Sequence, residues 1–100
     1  MFGNMMEQLQ MMKMKMEEIK NNLETKSITA EAAGGDIQVT INGNKKFKSI
    51  QISSALQFGD KEELEEQLCV ALNRAMEKAE QVYENEMKAV AGGMLPPGMI

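Results

Sequence analysis

From Asp60 to Val90 the chain carries neither proline nor glycine, and apolar residues recur at Leu64, Leu68, Ala71, Leu72, Ala75, Met76, Ala79, Val82, Tyr83, Met87 and Val90. Three to four apolar residues per two turns predict a helix of roughly 31 residues with a broad apolar stripe. At 1.5 Å per residue it would be about 46 Å long, whereas a compact domain of this length has a radius of gyration near 13 Å. The helix must overhang its own domain. Ala71, Ala75, Ala79, Val82, Tyr83 and Val90 on the overhang are expected to be exposed in a single copy, which predicts a homodimer or larger assembly. Asp60 and Glu63 have capping-box spacing, and Glu62, Glu63, Glu65 and Glu66 complement the dipole of a starting helix. Gly92-Gly93 is the expected stop.

The first third has a second helical signature. Met5, Leu9, Met12, Met16, Ile19 and Leu23 alternate in steps of four and three, a narrow seam of the coiled-coil kind that also suits one arm of a helical hairpin. From Thr25 the period falls to two. Ile28, Ala30 and Ala32 alternate with polar residues, Gly34-Gly35 interrupts, and Ile37, Val39 and Ile41 alternate again. Asn42-Gly43 is a dipeptide that tolerates positive φ in a tight hairpin, and Phe47 to Ile52 follows as a third strand. Ile50 and Ile52 then share a face with Ile37, Val39 and Ile41, while alternation puts Phe47 on the opposite face. The whole reads as α+β, an α-β-β-β-α subunit with a three-stranded antiparallel meander and two long helices. It forms a single domain over residues 1–93, with a flexible Pro/Gly tail over 94–100.

Composition narrows the function. With no histidine and a single cysteine, the common zinc sites, Ser-His and Cys-His pairs and an intrachain disulfide framework are excluded. No catalytic set, no cofactor site, no metal site and no small-molecule substrate are expected. Cys69 flanks the apolar stripe and reads as an inert buried thiol. Met1, Met5, Met6, Met11, Met12, Met14 and Met16 suggest a thioether copper site, but an adaptable filler for a helix seam and a partner surface explains them more directly. No run is apolar and long enough to span a membrane, and the lone thiol favours a cytoplasmic location.

The net charge is -4, with the bases concentrated in the first half. Lys13, Lys15 and Lys20 lie on the first helix, and Lys45, Lys46 and Lys48 follow the hairpin turn. Phe47, interleaved with the second group, suits either base stacking or a lysine-protected edge strand.

The ordered set resembles the YbaB/EbfC family of bacterial nucleoid-associated proteins across essentially the whole chain. It comprises a Met/Gln-rich first helix, Gly34-Gly35, Ile41-Asn42-Gly43, Ile50-Gln51-Ile52, Asp60-Lys61-Glu62-Glu63-Leu64-Glu65, Ala71-Leu72-Asn73-Arg74-Ala75 and Gly92-Gly93-Met94-Leu95-Pro96-Pro97-Gly98. The family often has an Asp-Pro pair after the third strand, where Ser53-Ser54 stands here. The resemblance implies a tweezers-like homodimer, joined through its sheet region, whose helical arms bind double-stranded DNA. It also implies a non-enzymatic protein of the cytoplasm and nucleoid, a part in gene expression, and replication or recombination proteins as partners. If DNA lies between the arms, Lys13, Lys15 and Lys20 with Arg74, Lys78 and Lys88 are the expected phosphate contacts, and Lys45, Lys46 and Lys48 form the rival patch. A dimeric protein-interaction adaptor gripping a partner with its Met-rich arms is the alternative.

Overall fold

The computed structural model describes residues 2–57 and 59–94. Its elements are α1 (Phe2–Thr25), β1 (Ile28–Ala32), β2 (Ile37–Ile41), β3 (Phe47–Ile52), the single turn α2 (Ser54–Gln57) and α3 (Lys61–Met94). The α-β-β-β-α order expected from the periodicities is therefore present, with α2 as an addition that four residues are too few to announce in a pattern. At the end of α1 the Thr25 hydroxyl donates to the Asn22 carbonyl at 2.8 Å, a local bond that competes with helix continuation.

The strands form an antiparallel meander in the order β1-β2-β3. Ala33, Gly34 and Gly35 make the first connection with φ of 54°, 65° and 96°, a left-handed path on which glycine is unstrained. In the second connection the turn chemistry differs from the sequence expectation, because positive φ falls at Lys45 (66°) rather than at Asn42-Gly43. Buried Asn42 holds this turn with its side chain, Oδ1 accepting from the amides of Asn44 at 2.9 Å and Lys46 at 3.0 Å. Gly43 instead provides room. Its amide donates to the Leu23 carbonyl at 2.8 Å, and a Cβ there would sit 2.7 Å from Leu23 Cδ2.

Ile37 pairs with Ile52 and Val39 with Ile50, so these residues share one face as expected. A slip between Thr40 and Ile41 then pairs Ile41 with Phe47. This bulge returns Phe47 to the apolar face, contrary to strict alternation.

α3 lies across that face over β1 and β2, and Ala71, Ala75 and Ala79 are fully buried against it. The apolar stripe alone places these alanines on an exposed overhang. They instead form the row that lets the helix approach the sheet closely, because a methyl group keeps the backbones near one another. Cys69, expected to be buried, is free and exposed, since it lies on the far flank of α3 from this row. The helix also runs through Gly92-Gly93 to Met94. Glycine weakens a helix by about 1 kcal/mol but does not block one as proline does. The rest of the expected tail, residues 95–100, lies outside the described residues.

The predicted overhang is real. The radius of gyration is 19.1 Å and the extents are 67 × 25 × 16 Å. Of the α1 seam, Ile19 and Leu23 are buried, while Met5, Leu9, Met12 and Met16 are exposed. α1 and α3 leave the sheet side by side as an arm, tied near its base by a Lys26–Glu86 ion pair at 2.6 Å.

Candidate nucleic-acid interface

At the base of the arm the hairpin turn wedges between the two long helices. Asn44 Nδ2 donates to the Lys20 carbonyl at 2.9 Å and to Glu24 Oε2 at 2.6 Å, fastening the turn to α1. On the α3 side, Lys45 Nζ lies 4.7 Å from the centre of the Tyr83 ring, a cation-π contact. Between them runs an open groove of about 340 Å³ whose lining includes Lys13, Met16, Lys20, Asn44, Tyr83 and Met87. Lys13 and Lys20, seven residues apart on α1, occupy the same side of that helix.

Members of the two groups of bases that stand as rivals in the sequence thus meet at one place. Lys13 and Lys20 line the groove and Lys45 caps its aromatic wall. Lys46 pairs with Glu24 at 3.7 Å, whereas Lys48 stands on exposed β3 without an ion-pair partner among the described residues. The Glu24 carboxyl is held below its ordinary range by the Asn44 hydrogen bond first, with the charges of Lys46 and Lys48 adding to it and desolvation opposing. It therefore stays ionised and offsets part of the positive charge at this end.

The α3 bases are elsewhere. Arg74 Nη1 donates to the Glu31 carbonyl at 2.9 Å and Lys78 Nζ to the Thr29 carbonyl at 3.0 Å, at the free edge of β1. At 100° per residue they lie on the opposite flank of α3 from Tyr83. Exposed Lys88, two turns beyond Gln81, continues their flank. Lys15 lies on α1 beside Gln8, Met11 and Met12, across the seam from Lys13 and Lys20. The structure thus brings Lys13 and Lys20 together with the hairpin, and places Arg74, Lys78 and Lys88 on a second flank. Asn44 and Tyr83 carry no signal in the sequence, because nothing local links positions 39 residues apart.

The YbaB/EbfC DNA-binding family model matches residues 1–94. The chain belongs to this family. The fold agrees with that membership. A crystal structure of an uncharacterized protein from Helicobacter pylori superposes with a TM-score of 0.79 at 26% identity, covering 96% of this chain and 98% of that one. Membership in YbaB/EbfC implies DNA binding associated with the nucleoid. Among the described residues no helix is long and apolar enough to cross a membrane.

Proposed function

We propose that this YbaB/EbfC chain acts as a homodimer that holds duplex DNA through phosphate contacts in the nucleoid and takes part in gene expression. The observation that carries the reading is the convergence of Lys13 and Lys20 with the lysine-bearing hairpin at the arm's base. Lys15 stands across the α1 seam from them, and Arg74, Lys78 and Lys88 form a second basic strip on α3. Phosphates are alike at every step of the duplex, so such contacts give affinity with little sequence readout. Two chains carry a net charge of -8, twice the -4 of one. Binding must therefore come from local clusters working against the overall field.

Dimerisation is supported by β3. α3 covers β1 and β2 and leaves β3 open, so Phe47 and Ile50 remain 44% and 45% exposed on the same face as the core. A second copy seated there buries both.

The test is a titration of fluorescent duplex DNA with the purified protein over a series of salt concentrations, beside a folded Lys13→Ala, Lys15→Ala, Lys20→Ala variant. Native affinity should fall steeply with salt. The variant should bind more weakly, with a salt slope shallower by up to about 0.9 for each phosphate that it no longer neutralises. Absence of duplex binding at low salt defeats the proposal and favours the second reading, a protein-interaction adaptor. That reading rests on the arm itself, where Met5, Met6, Leu9, Met11 and Met14 are all more than half exposed. It expects partner binding that survives salt, as malleable thioether surfaces provide.

A further inference from the structure

The sheet has two edges, and the chain treats them differently. β1 is an edge strand whose outward carbonyls include those of Thr29 and Glu31, and both are occupied. Lys78 takes the first at 3.0 Å and Arg74 the second at 2.9 Å. The match is geometric. Residues two apart on a strand are about 6.6 Å apart and direct their carbonyls to the same side. Residues four apart on a helix rise about 6.0 Å and lie on the same face. A cationic pair at that helical spacing therefore meets consecutive outward carbonyls of a strand running antiparallel to it. Both donors are charged, which makes these bonds stronger than neutral ones.

An incoming strand needs those carbonyls. A row of unpaired backbone groups is a template for pairing with another chain, and charged side chains are one means of blunting it. At β3 the structure is the reverse. Phe47 and Ile50 are exposed beside the edge, and no helical side chain donates to an outward carbonyl of β3 among the described residues.

We infer that Arg74 and Lys78 close the β1 edge to a second copy of this chain, so that the sheet accepts a partner at β3 alone and assembly stops at a closed pair. This rests on the homodimer reading above. It gives Arg74 and Lys78 a role separate from DNA contact, since it is exerted on the protein's own backbone. A symmetric pair made through one surface has none left to extend, whereas two open edges permit an indefinitely growing sheet.

The experiment compares three proteins by size-exclusion chromatography with light scattering across a hundredfold range of concentration, each checked for folding by circular dichroism. They are the native chain, Arg74→Ala with Lys78→Ala, and that double variant carrying Thr29→Pro. Proline removes an outward amide from β1 and obstructs strand addition without breaking the ladder to β2. The native chain should keep one mass throughout. The double variant should grow with concentration to at least twice the native mass, and Thr29→Pro should restore the native mass. If the double variant keeps the native mass, the inference is overturned, whatever happens to its DNA affinity. Growth that persists with Thr29→Pro also overturns it, because assembly then uses another surface. Should the double variant fail to fold, Arg74→Ala and Lys78→Ala are read singly by the same criterion. A monomeric native chain defeats the homodimer reading, while the double variant's shift relative to native still judges the edge closure.

Discussion

Gly43 and Glu24 sit within one turn of each other's partners, yet they matter for different reasons. At Gly43 the requirement is space. A methyl group would meet both Leu23 Cδ2 at 2.7 Å and the Leu23 carbonyl at 2.9 Å, and the backbone atom cannot swing aside as a side chain does. Gly43→Ala should therefore destabilise the fold by about 1–3 kcal/mol, the usual cost of overpacking, read as a lower midpoint in urea unfolding. A variant as stable as the native chain would show that the turn shifts freely. At Glu24 the requirement is charge. Because its folded pKa lies below the ordinary 4.5, its contribution to stability is complete above the unfolded value and is lost as pH falls through the folded one. Carboxyl chemical shifts followed by NMR should place the Glu24 midpoint below 4.5. The same titration of Asn44→Ala should return it upward. An unmoved midpoint would remove the hydrogen bond as its cause.

At the scale of elements, the apposition of α3 to the sheet depends on side-chain size more than on hydrophobicity. Ala71, Ala75 and Ala79 are fully buried, while the larger Leu68, Leu72 and Met76 pack around them only partly buried. A larger residue in the alanine row has nowhere to go. Ala75→Leu should cost about 1–3 kcal/mol despite greater apolarity, whereas Ala89→Leu, on an exposed turn of α3, should change thermal stability little. Equal melting temperatures for the two variants would refute close packing at that row. The same scale explains what periodicity conceals. A stripe at i, i+3 and i+4 identifies the helix but is silent on which stretch meets the sheet and which extends beyond it. Periodicity consequently puts Ala71, Ala75 and Ala79 on the wrong side of that division, and Cys69 within the core.

Across the whole molecule, the proposed homodimer and its grip on DNA turn on the open side at β3 and the projecting arm. Phe47→Glu with Ile50→Glu adds charge to the uncovered apolar strip without touching the buried core. Light scattering should then report a mass near the 11.1 kDa of a single chain, with the circular dichroism spectrum retained. A dimer that persists would move the interface away from β3. DNA affinity should fall along with dimerisation, because two arms acting on one duplex raise the effective concentration of the second contact.

Elements whose periods persist for several turns or alternations were legible in the sequence: both long helices, all three strands, and the Ile37, Val39, Ile50 and Ile52 face. Those assignments depend on neighbours a few residues away, and local order suffices to reveal them. The tertiary structure alone decided where the helices leave the sheet, that a bulge turns Phe47 to the apolar face, and that Lys13 and Lys20 meet Asn44 and Tyr83. It also decided that Arg74 and Lys78 face the strand edge, where helical and extended rises happen to match. Each of these depends on residues brought together from distant parts of the chain, and the angle and distance at which they meet are set by packing, which no local pattern encodes.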